Sequence, residues 1–247
     1  MTAISLRETL DEFASQGKSV DLWLRDDDAI EPTAALEKLV RLTQQYAVPL
    51  TLAVIPEHTD ERLATYLRDY RHIDVAVHGW SHRNYAAETE KKRELGLHRP
   101  KQIVLSELTH GFEKLHDLYP GQFISMLVPP WNRIDDGIVD GLPDIGYQTL
   151  SVFGRNKPAS LPLLNTHIDL MDWHGTGRGR PHDALFEEIA TRLRSEPQGG
   201  SITGILTHHL VHDESAWAFL EKLFELTANH PAISWRASRQ LMATLSP

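Results

Sequence analysis

The chain has 247 residues, 41% hydrophobic and 24% charged, values of an ordinary globular protein with one large domain or two small ones. A formal charge of −9 argues against nucleic acid or an anionic membrane as partner. There is no cysteine, so disulfides, thiolate metal sites and cysteine nucleophiles are excluded, and any metal must sit on His, Asp, Glu or backbone oxygen.

In chain order, the first residues lack a basic stretch followed by an apolar core. No later run approaches the roughly eighteen apolar residues of a membrane span, so the expected location is the cytoplasm. Residues 20–24 predict a strand that ends in four charged residues, Arg25 to Asp28. Helical spacing of Leu36, Leu39, Val40 and Leu42 predicts a helix over residues 33–45, opened by Pro32. A strand over 50–55, a helix over 60–70 and a strand over 73–77 follow. After an irregular polar stretch, 79–99, the positions Val104, Leu105, Leu108, Phe112 and Leu115 mark a longer helix. Strands are expected at 123–128, 147–152 and 166–170. Leu185, Phe186, Ile189 and Leu193 line a helix, 202–206 forms a strand and 217–226 a helix. A short strand at 233–235 and a tail helix close the chain.

This alternation predicts an α/β fold with a parallel sheet of seven or eight strands, closed or nearly closed into a barrel, in a single domain over residues 1–247. No glycine-rich phosphate fingerprint follows the first strand, which speaks against a dinucleotide fold.

In such a fold, chemistry sits on loops after the strands. Arg25 to Asp28 ends the first strand and His78 to His82 the third. Pro129 to Asn132 ends the fourth, Asp169 to Trp173 the sixth, and His208-His209 the seventh. Adjacent carboxylates repel unless a cation compensates them; the competing reading of Asp26 to Asp28 is a solvated turn. His78 and His82 are four residues apart, and Gly79 permits the turn that brings both rings to one ion; among fourteen histidines, two unrelated surface residues are the alternative. Combined with a carboxylate they form a two-His-one-Asp metal site, whose open positions suit catalysis. A divalent ion, most simply Zn²⁺, would acidify water and polarise a carbonyl, while a carboxylate outside the metal sphere takes the water's proton. Asp172 and His208 offer an acid half, in which a carboxylate-held histidine protonates a leaving amine. Trp131 and Trp173 are either core packing or an aromatic wall for a sugar ring. His209 and His212 flank the same region without an assigned role.

These residues resemble the motifs of the polysaccharide deacetylases, carbohydrate esterase family four. The family's first motif, Thr-Phe-Asp-Asp-Gly, looks like Arg25-Asp26-Asp27-Asp28-Ala29. The resemblance makes Asp27 the base and Asp28 a ligand, with Asp26/Asp27 as the other register. The second motif, His-Ser/Thr-x-x-His, matches His78 to His82, with Gly79 at the usually hydroxylated position. The third, Arg-x-Pro and a residue whose backbone N–H helps bind the oxyanion, is closest to Val128-Pro129-Pro130-Trp131. Its arginine, which pairs with the base, is absent; Arg25 and Arg133 are the candidates to replace it. The fourth motif matches Asp169-Leu170-Met171-Asp172-Trp173, and the fifth Leu206-Thr207-His208.

The resemblance implies a distorted (β/α) barrel and metal-dependent removal of an acetyl group from a saccharide or related small substrate. Metal would sit on Asp28, His78 and His82. Asp27, His208 and Asp172 would be catalytic, and Pro130, Trp131, Asn132 and Trp173 would bind substrate. A non-glycan amidase and an inactive ligand-binding barrel are the alternatives, since a fold does not determine a substrate.

Overall fold

The computed structural model describes residues 2–157, 159–195 and 202–245. A helix that the periodicity did not mark comes first, α1 (Thr2–Ser15), burying Leu6 and Leu10. Then follow β1 (Val20–Ala29), α2 (Ala34–Gln45), β2 (Leu50–Val54), α3 (Glu61–Leu67) and β3 (Ile73–His78). Thr33 caps α2 by accepting from the Leu36 N–H at 3.1 Å, and Asp60 caps α3 by accepting from the Arg62 N–H at 2.9 Å, each satisfying an otherwise unpaired first-turn donor. Next come α4 (Lys101–Leu118), β4 (Phe123–Val128), a short α5 (Asp136–Val139), β5 (Thr149–Leu150) and β6 (Ile168–Asp169). The chain ends with α6 (His182–Ser195), β7 (Ile202–Thr207), α7 (Glu214–Thr227), β8 (Ile233–Trp235) and α8 (Ser238–Met242). The strands expected at 147–152 and 166–170 thus shrink to two residues each.

The chain packs into two compact units. One comprises the segment ending at Asp26 with Thr33–Leu50 and Thr166–Ala237; the other comprises Asp27–Pro32, Thr51–Asn165 and Ser238 onward. In the first, β1 runs parallel to β7 from Asp21↔Ile202 to Asp26↔Thr207, and to β8 from Val20↔Ile233 to Leu22↔Trp235. β6 pairs with β7 at Ile168↔Ile205 and Asp169↔Leu206. Trp23, Phe219 and Phe224 are fully buried at its centre. β1 does not stop at Leu24, because its ladder with β7 continues through Arg25↔Leu206 and Asp26↔Thr207.

In the second unit, β3 pairs with β4 through Val77↔Leu127 and His78↔Val128, and β4 with β5 through Met126↔Thr149. β2 neighbours β3. Every residue of β2 and β3 is buried, as expected of parallel strands covered on both faces. Ser238, at the start of α8, donates to Asp74 of β3 at 2.9 Å and receives the Thr51 hydroxyl of β2 at 2.7 Å. No helix among the described residues is long and apolar enough to cross a membrane.

Candidate metal centre

In the second unit, the last residues of β1 and β3 bring Asp28 and His78 together, and the turn after β3 adds His82. Asp28 Oδ1 lies 3.1 Å from His78 Nε2 and 3.3 Å from His82 Nε2. One ligand atom from each of the three lies within 4.8 Å of the others. His78 Nδ1 lies 2.9 Å from the Val128 carbonyl. A carbonyl only accepts, so Nδ1 carries the proton and a neutral His78 turns the lone pair of Nε2 toward a carboxylate. Two acceptors would then face each other, and a cation between them resolves the conflict. A histidine whose second nitrogen is held by a carbonyl is also how metal ligands are commonly oriented.

The electrostatics agree with that donor set. Burial disfavours charge on His78, but the hydrogen bond and charge of Asp28 and the charge of Asp27 outweigh it and raise its pKa. Burial, then the neighbouring His78, push His82 down to about 4. The pocket therefore accepts one positive charge and resists a second proton. The His78 side chain is 2% exposed while those of Asp28 and His82 are 30% and 24% exposed, so the trio is closed on one side and open on the other, as a catalytic ion requires.

Backbone strain marks the same place. Of five non-glycine residues described with positive φ, four are Asp28, His82, Trp131 and Asn132, at 74°, 57°, 55° and 56°. Bulky residues adopt this region at a cost, and such strain concentrates at functional sites. Pro130, Trp131 and Asn132 form a tight turn after β4, its last two residues in the left-handed region. It sets the Trp131 ring 4.4 Å from that of His82.

Glu94, in the stretch read as irregular, organises the turn between the two histidines. It is fully buried, and its carboxylate accepts from the backbone N–H groups of Trp80 (3.1 Å), Ser81 (2.7 Å) and His82 (3.1 Å) and from the Ser81 hydroxyl (3.0 Å). Nothing in local periodicity pointed to it, since Glu88 and Glu90 stand in the same polar stretch and only the structure singles out Glu94. Of the two arginines considered for the third motif, Arg133 donates to the Lys92 carbonyl at 2.9 Å, and Arg25 is fully buried in β1.

The first unit holds the remaining motif residues. Trp173 is half exposed, meets the His208 ring edge-on at 4.7 Å, and donates from Nε1 to Asp169 at 2.8 Å. Asp172 was expected to hold His208. Its carboxylate instead accepts from the Thr176 N–H at 2.9 Å and the Thr176 hydroxyl at 3.3 Å, closing its own loop, and these bonds lower its pKa. In the same unit a carboxylate does hold His209. Asp26, wholly buried, lies 2.5 Å from His209 Nδ1 and accepts from the His209 N–H at 2.9 Å and the Thr207 hydroxyl at 2.7 Å. Two of the three neighbouring carboxylates thus have separate tasks: Asp26 faces His209, and Asp28 faces His78 and His82.

No protein-family model and no curated protein matches the chain. Solved structures do. A protein from Mycobacterium smegmatis assigned as a polysaccharide deacetylase superposes with a TM-score of 0.68 at 14% identity, over 92% of this chain and 90% of that one. The chain shares the fold of that protein. A family 4 carbohydrate esterase from Streptomyces lividans, solved with acetate, gives 0.56 at 15% identity over 87% and 90%. A peptidoglycan deacetylase from Bacillus subtilis gives 0.55 at 14% identity over 92% and 91%. The fold shared with these proteins is the distorted (β/α) barrel that the motifs implied.

Proposed function

We propose that the chain is a divergent polysaccharide deacetylase, a metal-dependent hydrolase that removes an acetyl group from the nitrogen of a saccharide or related small substrate. The observation that carries this reading is the convergence of Asp28, His78 and His82 at strand ends, with the His78 tautomer held by Val128. The likeness to deacetylases supports the reaction class, and the nitrogen–oxygen donor set suits Zn²⁺.

A divalent ion bound there supplies a Lewis acid that polarises the acyl carbonyl and acidifies the attacking water. Asp27, 2% exposed and next to a ligand in sequence, takes the proton from that water as it adds to the acyl carbon. The backbone N–H of Trp131 is the proposed donor to the oxyanion. The motif resemblance gives His208 the role of donating a proton to the leaving amine when the carbon–nitrogen bond breaks, and Trp173 that of a flat apolar face for the sugar ring. Pro130 and Asn132 shape the substrate side of the turn.

Bound zinc, measured in protein prepared without a histidine tag, tests the site. It should be near stoichiometric in the wild type and lost in Asp28→Ala and in His78→Ala/His82→Ala. Asp27→Asn should keep zinc while acetate release falls by about 10²–10⁴. Zinc lost from Asp27→Asn, or full turnover by it, would overturn the assignment of the base.

A further inference from the structure

Beside Asn132, in the same compact unit as the metal ligands, lies a cavity of about 640 Å³. That volume falls within the roughly 300–1,000 Å³ of small-molecule sites. Leu150, Val152 and Phe153 contribute apolar surface, and Phe153 stays 43% exposed. Charge distinguishes the cavity from the rest of an acidic chain. Arg93, Arg133, Arg155 and Lys157 line it, against two carboxylates, Asp136 and Asp140. Arg93 is committed to Asp135 at 3.3 Å. Among the described residues no ion pair joins Arg133, Arg155 or Lys157 to a carboxylate. Cations gathered this way repel one another until an anion arrives. Lys92 extends the series, its Nζ 5.9 Å over the Trp131 ring, and that ring touches His82. Positive charge therefore runs from the edge of the metal trio into the cavity.

We infer that this cavity receives an anionic group of the substrate, which is an acylated saccharide carrying a carboxylate or a phosphate. The sugar ring rests on Phe153, and Arg133, Arg155 and Lys157 hold the anion, the guanidinium forks matching either oxyanion in bidentate fashion. Calling this ligand the substrate rests on the hydrolase reading above; the anion site itself rests on the cavity and its cations.

The experiment is calorimetric titration of metal-free protein with glucuronate, with N-acetylglucosamine 1-phosphate and with neutral N-acetylglucosamine. It is repeated on Arg155→Glu/Lys157→Glu, whose two side chains are exposed, so that charge reversal leaves the fold in place. At least one anionic sugar should bind the wild type tenfold or more tighter than the neutral one, weaken with added salt, and lose tenfold or more in the variant. Which anion binds separates carboxylate from phosphate. Anionic and neutral sugars binding alike or not at all, or a variant that binds the anions as well as wild type, would overturn the inference. Because no metal is present, the result is independent of the zinc measurements: an anion site without zinc uptake sinks only the hydrolase, and zinc uptake without an anion site sinks only the cavity.

Discussion

At the scale of single residues, the metal centre depends on a group that binds no metal. Glu94 accepts hydrogen bonds from three consecutive backbone amides that end at His82, so it holds His82 in a backbone conformation that costs energy. In Glu94→Gln an amide donor replaces one carboxylate oxygen opposite those N–H groups, and the clamp loses at least one bond. Zinc affinity should fall by about 10–100-fold, the range for groups that orient metal ligands, when zinc is competed against a chelator. An unchanged affinity would make Glu94 a packing residue only. Asp26 carries a contrasting expectation. Asp26→Ala removes the carboxylate that accepts from the buried Thr207 hydroxyl and from two groups of His209. Leaving buried donors without an acceptor costs about 1–3 kcal/mol for each group, to be read from urea unfolding, while the folded fraction keeps its zinc. The amino-acid order could not separate Asp26/Asp27 from Asp27/Asp28, because three identical side chains carry no register. What separates them is the residue that each one meets, and those lie 50 and 183 positions away.

At the scale of elements, the turn from Gly79 to His82 shows why some segments were legible and others were not. Strands β2, β3 and β4 were read from their apolar runs, since burial on both faces leaves a continuous signal. The stretch 79–99 has no period because side chains, rather than a ladder, shape it. Glu94 holds one end, and Asn84 Oδ1 accepts from the backbone of Ala86 at 3.1 Å and Arg93 at 2.9 Å. The end of β1 was missed for a related reason, since charged residues rarely extend a strand unless partners such as His209 lie across from them. Gly79 is the element's critical position. Its φ is +60°, and a Cβ there would lie 2.3 Å from Glu94 Oε2 and 2.7 Å from the Pro130 ring. Gly79→Ala therefore combines backbone strain with two collisions. It should destabilise the protein by about 1–3 kcal/mol and weaken zinc binding together with stability. Wild-type behaviour in both measurements would mean that the turn has another conformation available.

At the scale of the whole molecule, the fold was legible in the alternation of strand-like and helical segments along the chain, and it is a fold shared with solved structures at 14% identity. Global stability has a feature that no motif announces, namely its dependence on pH. Burial, then the charge of Arg192, hold His167 at about 3, below its ordinary 6.5. Its Nδ1 accepts from the Gly204 N–H at 3.1 Å, tying the approach to β6 onto β7, and that acceptor disappears on protonation. His212 is likewise pushed down to about 4 by burial, and its Nε2 accepts from the His208 N–H at 3.3 Å. For both groups the folded pKa lies below the unfolded one, so as pH falls the unfolded chain takes up protons first. Their contribution to stability is whole above about pH 6.5 and is lost progressively as pH drops toward 4 and then 3. Each proton steepens the loss by up to about 1.4 kcal/mol per pH unit. The check is urea unfolding of metal-free protein at pH 7.5 and 5.5, for wild type and for His167→Asn, whose side-chain oxygen can still accept from Gly204. The variant should lose less stability between the two pH values than wild type does. Equal losses would show that His167 titrates alike in the folded and unfolded chains.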